Sequence, residues 1–166
     1  MLAKRVDSML DIGKPIIKIA TSSVGKEQLF KELSVINSTG STVQVFDPKA
    51  IINRIHVLGA YLNAKEAFSS KSNVSNSIAV EMLLISAMTR QISEAVERTG
   101  AKSGEFLLFA NDKDAYGKAK KLIKDEREFE PSEGHIRSVA KKYGIVQEND
   151  MDQFVLQKMA IARLDS

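Results

Sequence analysis

Between Ile78 and Ile85 the chain reads Ile-Ala-Val-Glu-Met-Leu-Leu-Ile, and its apolar groups surround a helical axis instead of forming one stripe. A helix of this kind has no polar face to offer to water, so the rest of the chain must supply elements that enclose it. The spacing predicts a helix from about Asn76 to Arg98, ending at Gly100, where a left-handed cap suits glycine. Glu81 falls on the stripe formed by Ile78, Ile85, Met88 and Ile92, within about 80° of its neighbours around the axis. A carboxylate there needs donors. Local amides at the helix N-terminus would serve, and so would a ligand or partner.

The enclosing elements can be read on either side. Pro15-Ile16-Ile17-Lys18-Ile19-Ala20 is rich in β-branched residues and opens on proline, the pattern of a strand. Leu29, Phe30, Leu33 and Ile36 give Lys26–Ile36 a helical period. Thr42–Phe46 alternates as a half-buried strand, and Asp47-Pro48 signals a helix start, with a helix expected to run from there to about Phe68. Ser69–Ser77 is a polar loop. Beyond the central helix, Phe106-Leu107-Leu108-Phe109-Ala110 reads as a central strand and Asp112–Lys124 as a polar helix. A short strand is expected around Glu128–Glu130, a helix over Ser132–Tyr143 stopped by Gly144, and a last helix opened by Asp150. The expectation is an α+β (mixed α/β) fold in one domain, residues 1–166, with a small mixed sheet of about four strands packed with several helices.

Few of the usual catalytic patterns occur. With no cysteine, thiolate chemistry, disulfides and cysteine zinc sites drop out, and a reducing cytoplasm is the expected compartment. Ser23-Val24-Gly25-Lys26 imitates a phosphate loop, but Ala20 and Glu27 stand where its first glycine and its magnesium-holding hydroxyl belong. His56 and His135 lack the spacing of metal ligands, no nucleophile elbow or dinucleotide fingerprint occurs, and no apolar run approaches the roughly 18 residues of a membrane span. We therefore expect no catalytic residues, no metal, no cofactor and no membrane partner.

Net charge is +3, and the excess lies in residues 1–75, with ten basic and six acidic groups against fourteen and fifteen in the remainder. On the long central helix Ser86, Arg90 and Glu94 would stand one turn apart. Arg90 then either pairs with Glu94 or presents its guanidinium to phosphate or a base. The last helix carries a wide arc, Met151, Phe154, Val155, Met159, Ile161 and Ala162, interrupted by Lys158, with Leu156, Ala160 and Leu164 on other sides. That surplus fits a second buried surface against another protein, or a helix sunk deep in its own core.

Ordered motifs add a resemblance. A serine-containing loop, Val74 to Ser77, is followed by Glu81-x-Leu83-Leu84, Ser86-x-x-x-Arg90-Gln91-Ile92 and Ala95. Before them come Val43–Asp47 and a helix to Ala67-Phe68; after them come Phe106-Leu107-Leu108 and Tyr143-Gly144-Ile145 with a final helix. This set, over residues 40–166, resembles the KEOPS subunit family of TPRKB, the PRPK-binding protein. Ala87 stands where archaeal relatives often have glycine. The resemblance implies a non-catalytic subunit that binds the PRPK-type kinase-ATPase and tRNA, supporting threonylcarbamoyl-adenosine modification of tRNA. It implies RNA contact by Lys71, Asn73, Ser75, Arg90 and Gln91. The surplus on the last helix suggests kinase contact by Phe154, Val155, Met159 and Ala162. The alternatives are an interaction module that regulates a small kinase without touching RNA, and a small enzyme of unrecognised type.

Overall fold

The structure is a computed structural model that describes residues 15–102, 104–146 and 150–164. Its frame is a four-stranded sheet formed by β1 (Ile16–Ser22), β2 (Val43–Phe46), β3 (Phe106–Ala110) and β4 (Ile123–Glu128), in the order β2-β3-β1-β4. Every adjacent pair is antiparallel, so the fold class is the expected α+β, but the sheet is not mixed. β1 and β2 run parallel with β3 between them, and β3 and β4 run parallel around β1, a split βαβ arrangement.

Strand alternation sorts the core into two layers. Val43, Val45, Phe106 and Leu108 face α1 (Lys26–Ser38) and α5 (Lys113–Lys120), meeting Leu29, Leu33, Ile36, Ala115 and Ala119. Ile17, Ile19, Phe46, Leu107 and Phe109 face the other way. That second layer holds α2 (Arg54–Ser69), α3 (Ile78–Ala87), α4 (Ile92–Thr99), α6 (Glu133–Lys142) and α7 (Met151–Leu164). The Ser23–Lys26 string is only a turn into α1, tied by the Ser22 hydroxyl to the Val24 amide and carbonyl.

The sheet's two edges are protected differently. On β2, Asn37 bonds both the N–H and the C=O of Val43, the Gln44 side chain accepts from the Val45 amide, and Asp47 N–H donates to Thr99. On β4 the residues are almost all charged and exposed, which discourages pairing with a foreign strand. Lys18 and Arg127 tie this strand to its surroundings through Glu128 and Glu105.

Four boundaries differ from the sequence reading, each for a visible reason. Asp47 and Pro48 do open a helical turn, Asp47 accepting from Lys49 N–H, but it is one 3₁₀ turn, Pro48–Ala50. Ile51 and Ile52 then run extended into the core, both fully buried, and Asn53 starts α2 by accepting from His56 N–H at 3.1 Å. The central helix is two helices. Met88 takes the left-handed conformation (φ 57°, ψ 44°), its N–H reaching Ile85 O and the next N–H, of Thr89, reaching Leu84 O. That is a Schellman stop built on a residue that adopts it at a cost of about 1–2 kcal/mol. Gly100 is not left-handed (φ −66°, ψ 147°); a Cβ there would lie 2.4 Å from the Val96 carbonyl oxygen, so close approach is what requires glycine. Finally, α5 ends at Lys120 and the last strand begins at Ile123, because β4 is a charged edge whose pairing with β1 leaves no period in the sequence.

Within the second layer His56 fastens α2 to α3. It is fully buried on α2, its Nδ1 accepting from Ile52 N–H at 3.1 Å and its Nε2 donating to Ser86 O at 2.9 Å. Burial lowers its pKa from 6.5 to about 4, with the bond to Ser86 opposing. The folded form therefore holds a neutral ring where the unfolded chain takes a proton. The stability this gives is full above pH 6.5 and is lost as pH falls toward 4. Unfolding by urea at pH 7 and pH 5 should show a loss of about 2 kcal/mol from this group. A His56 imidazole resonance titrating near 6.5 in the native protein would contradict it.

Candidate functional site

The loop between α2 and α3 is shaped by one carboxylate. Glu81 is 2% exposed, and its oxygens accept from Val74 N–H at 3.1 Å, from Ser75 N–H at 2.8 Å and from the Ser75 hydroxyl at 2.8 Å. Of the two readings of this residue, local donors at a helix N-terminus is the one the structure realises. Ser77 caps α3 by accepting from Val80 N–H, and Lys71 (φ 59°) turns the chain off the end of α2.

This arrangement divides the residues expected at RNA. Ser75 is 5% exposed and its hydroxyl is held between Glu81 and the Ser77 carbonyl, so it is part of the loop's scaffold and does not face a ligand. The Asn73 side chain lies partly buried and donates to Ser75 O at 2.8 Å. Lys71 and Gln91 are exposed. Arg90 lies in the connection between α3 and α4, not one turn beyond Ser86, and donates to Arg163 O at 2.7 Å. Glu94 does not pair with it: its carboxylate accepts from Thr89 and faces Arg98 at 3.7 Å. The loop and the connection nevertheless meet, since Val74, Glu81, Thr89 and Arg90 line one small cleft closed by Ala162 and Arg163 of α7.

On α7 the apolar residues separate into two faces. Val155, Leu156 and Met159 are at most 1% exposed and pack into the chain's own core. Gly59 of α2 is what admits them, since a Cβ at that position would come within 2.6 Å of both Leu156 and Met159. Val155 and Met159 are therefore not surface residues, contrary to the expectation that they contact a partner. Phe154 is 36% and Ile161 58% exposed, with Lys158 outward between them, an i, i+4, i+7 stripe that faces solvent. Ala162 is partly buried beside it. Sequence spacing grouped Ile161 with the arc but did not single it out, and treated Lys158 as an interruption. It marks the outward side.

The two histidines hold opposite ends of one peptide unit, the buried His56 accepting from Ile52 N–H and His135 donating to Ile51 O at 2.8 Å. Among the described residues no group of three or more His, Cys, Asp or Glu is placed to hold a metal, and no helix is long and apolar enough to cross a membrane.

Residues 20–163 match the family described as Kinase binding protein CGI-121. This chain belongs to that family. It is also 28% identical over 132 residues to the Regulatory protein Cgi121 of Methanocaldococcus jannaschii, covering 78% of this chain and 88% of the relative. The family match takes in both the α2–α3 loop with Glu81 and all but the last residue of α7. The exposed Phe154–Ile161 stripe of this CGI-121 member thus lies on the helix with which the family match ends.

Proposed function

We propose that this chain is a non-catalytic regulatory subunit of the KEOPS assembly in the cytoplasm. It docks on the small PRPK-type kinase-ATPase and contributes a contact to tRNA, in support of threonylcarbamoyl-adenosine formation. The observation that carries the kinase contact is the solvent-facing stripe Phe154-Lys158-Ile161, on a helix whose opposite face is locked into the core. An aromatic and an aliphatic anchor on a rigid helix suit the centre of a protein interface better than they suit water. The family description supports a kinase as the partner.

The tRNA contact rests on the resemblance and on Lys71, Asn73, Arg90 and Gln91, with Ser75 and Glu81 holding the loop that presents the first two. The commitment of Arg90 to Arg163 O favours the competing reading, a kinase regulator without an RNA role, because the guanidinium keeps fewer free donors.

Two measurements test these parts separately. Ile161→Asp should leave the thermal unfolding of the isolated chain nearly unchanged and Phe154→Asp should lower it modestly without unfolding the chain, while each weakens kinase binding by about 2–4 kcal/mol, read by calorimetric titration. Binding at wild-type strength by both would place the interface elsewhere. For RNA, Arg90→Ala should weaken tRNA binding by about 1–3 kcal/mol and reduce the slope of log affinity against log salt by about one. Superimposable titrations of wild type and variant would end the role of this connection in RNA binding.

A further inference from the structure

Lys49, Arg98, Lys142 and Lys158 are widely separated in the chain, yet they line one open groove of about 710 Å³. It lies between the Pro48–Ala50 turn, the end of α3, the end of α6 and the outer side of α7. Asp47 is the one carboxylate in its lining. Four cations against one carboxylate leave an excess of three, equal to the net charge of the entire chain. Arg98 is partly committed, donating to Ala87 O at 3.2 Å and facing Glu94 at 3.7 Å. Among the described residues Lys49, Lys142 and Lys158 form no ion pair. Like charges gathered around low-dielectric walls repel one another and raise the local concentration of anionic groups.

The floor of the groove decides what kind of anion fits. It is formed by Met88, Tyr143 and the exposed Ile161. Tyr143 offers no platform for a stacked base: its hydroxyl donates to Ala50 O at 2.7 Å and its ring meets His56 edge-on at 5.2 Å. Single-stranded RNA grooves combine basic walls with free aromatic faces, and this one has only the walls. An acidic stretch of polypeptide with an aliphatic or aromatic side chain satisfies both walls and floor. Lys158 and Ile161 also belong to the outward stripe of α7, so groove and stripe form one continuous surface.

We infer that this groove receives an acidic segment of the kinase partner, whose carboxylates meet Lys49, Lys142 and Lys158 while an apolar side chain rests on Ile161. The inference depends on the reading that the outer face of α7 meets the kinase. It adds to that reading the chemistry of the partner and a salt-sensitive step in its approach.

The test uses Lys49→Glu/Lys142→Glu, which reverses two exposed wall charges away from α7, alongside Phe154→Asp. Kinase association and dissociation are measured with the full chain at about 50 and about 300 mM salt. The double reversal should weaken kinase binding about tenfold or more at low salt, chiefly through the association rate, with the difference shrinking at high salt. Phe154→Asp should lose binding at both. If the double reversal binds as wild type at both salts while Phe154→Asp does not, the groove plays no part and the α7 reading survives alone. If the reversal spares the kinase but lowers tRNA affinity, the groove is an RNA surface and the inference is wrong. Normal kinase binding by Phe154→Asp removes the α7 reading and the groove assignment with it.

Discussion

Helix α3 is enclosed on nearly all sides, with Met82, Leu84, Ile85 and Ala87 all below 5% exposure, so each polar group at its ends must find a partner inside the protein. The solutions shape the surrounding structure. At its start, Ser77 caps the helix and Glu81 draws the preceding loop down onto it. At its end, His56 takes the Ser86 carbonyl, the Ser86 hydroxyl bonds Leu83 O and the Thr99 hydroxyl, and Met88 turns left-handed to close the last turn. The bonds through Glu81, His56 and Thr99 reach the preceding loop or another helix. The buried helix is thereby the joint through which α2, α4 and the α2–α3 loop are oriented.

The same enclosure determines what is left for other molecules. α7 packs against α2 closely enough to require Gly59, which consumes one side of α7 and leaves Phe154, Lys158 and Ile161 outside. Stopping α3 at Met88 throws Arg90 against the end of α7 and opens the basic groove beside it. A helix that continued to Arg98, as the spacing suggests, would have carried Arg90 away on a different face. The surface proposed to meet a partner is thus a consequence of where a buried helix ends.

Much of this frame was legible in the sequence. The apolar run of β3, the β-branched run of β1 and the all-round apolarity of α3 follow from burial, and burial leaves a pattern in residue type. β4 left none, because a charged edge strand is specified by its neighbour and not by alternation. The stop at Met88 was invisible because neither glycine nor proline marks it. On α7 the apolar arc was found, but it left out Leu156, which is buried, and it could not be divided into inner and outer parts without knowing that Gly59 lay opposite Leu156 and Met159. Ser75 looked like a donor for RNA, yet its partner proved to be the buried Glu81 six residues away. The basic groove gathers residues 49, 98, 142 and 158, three of them from the half of the chain without an excess of positive charge. No linear tally would find it.

The outer face of α7, with the groove beside it, is the surface proposed to receive a kinase partner. Amide hydrogen exchange of this chain, alone and with saturating kinase, reads that surface directly without altering a residue. Slowed exchange is expected in segments spanning α7, the end of α6 and the Pro48–Ala50 turn, with β4 unchanged. Protection confined to β4 or to α1, with α7 exchanging as in the free chain, would contradict it.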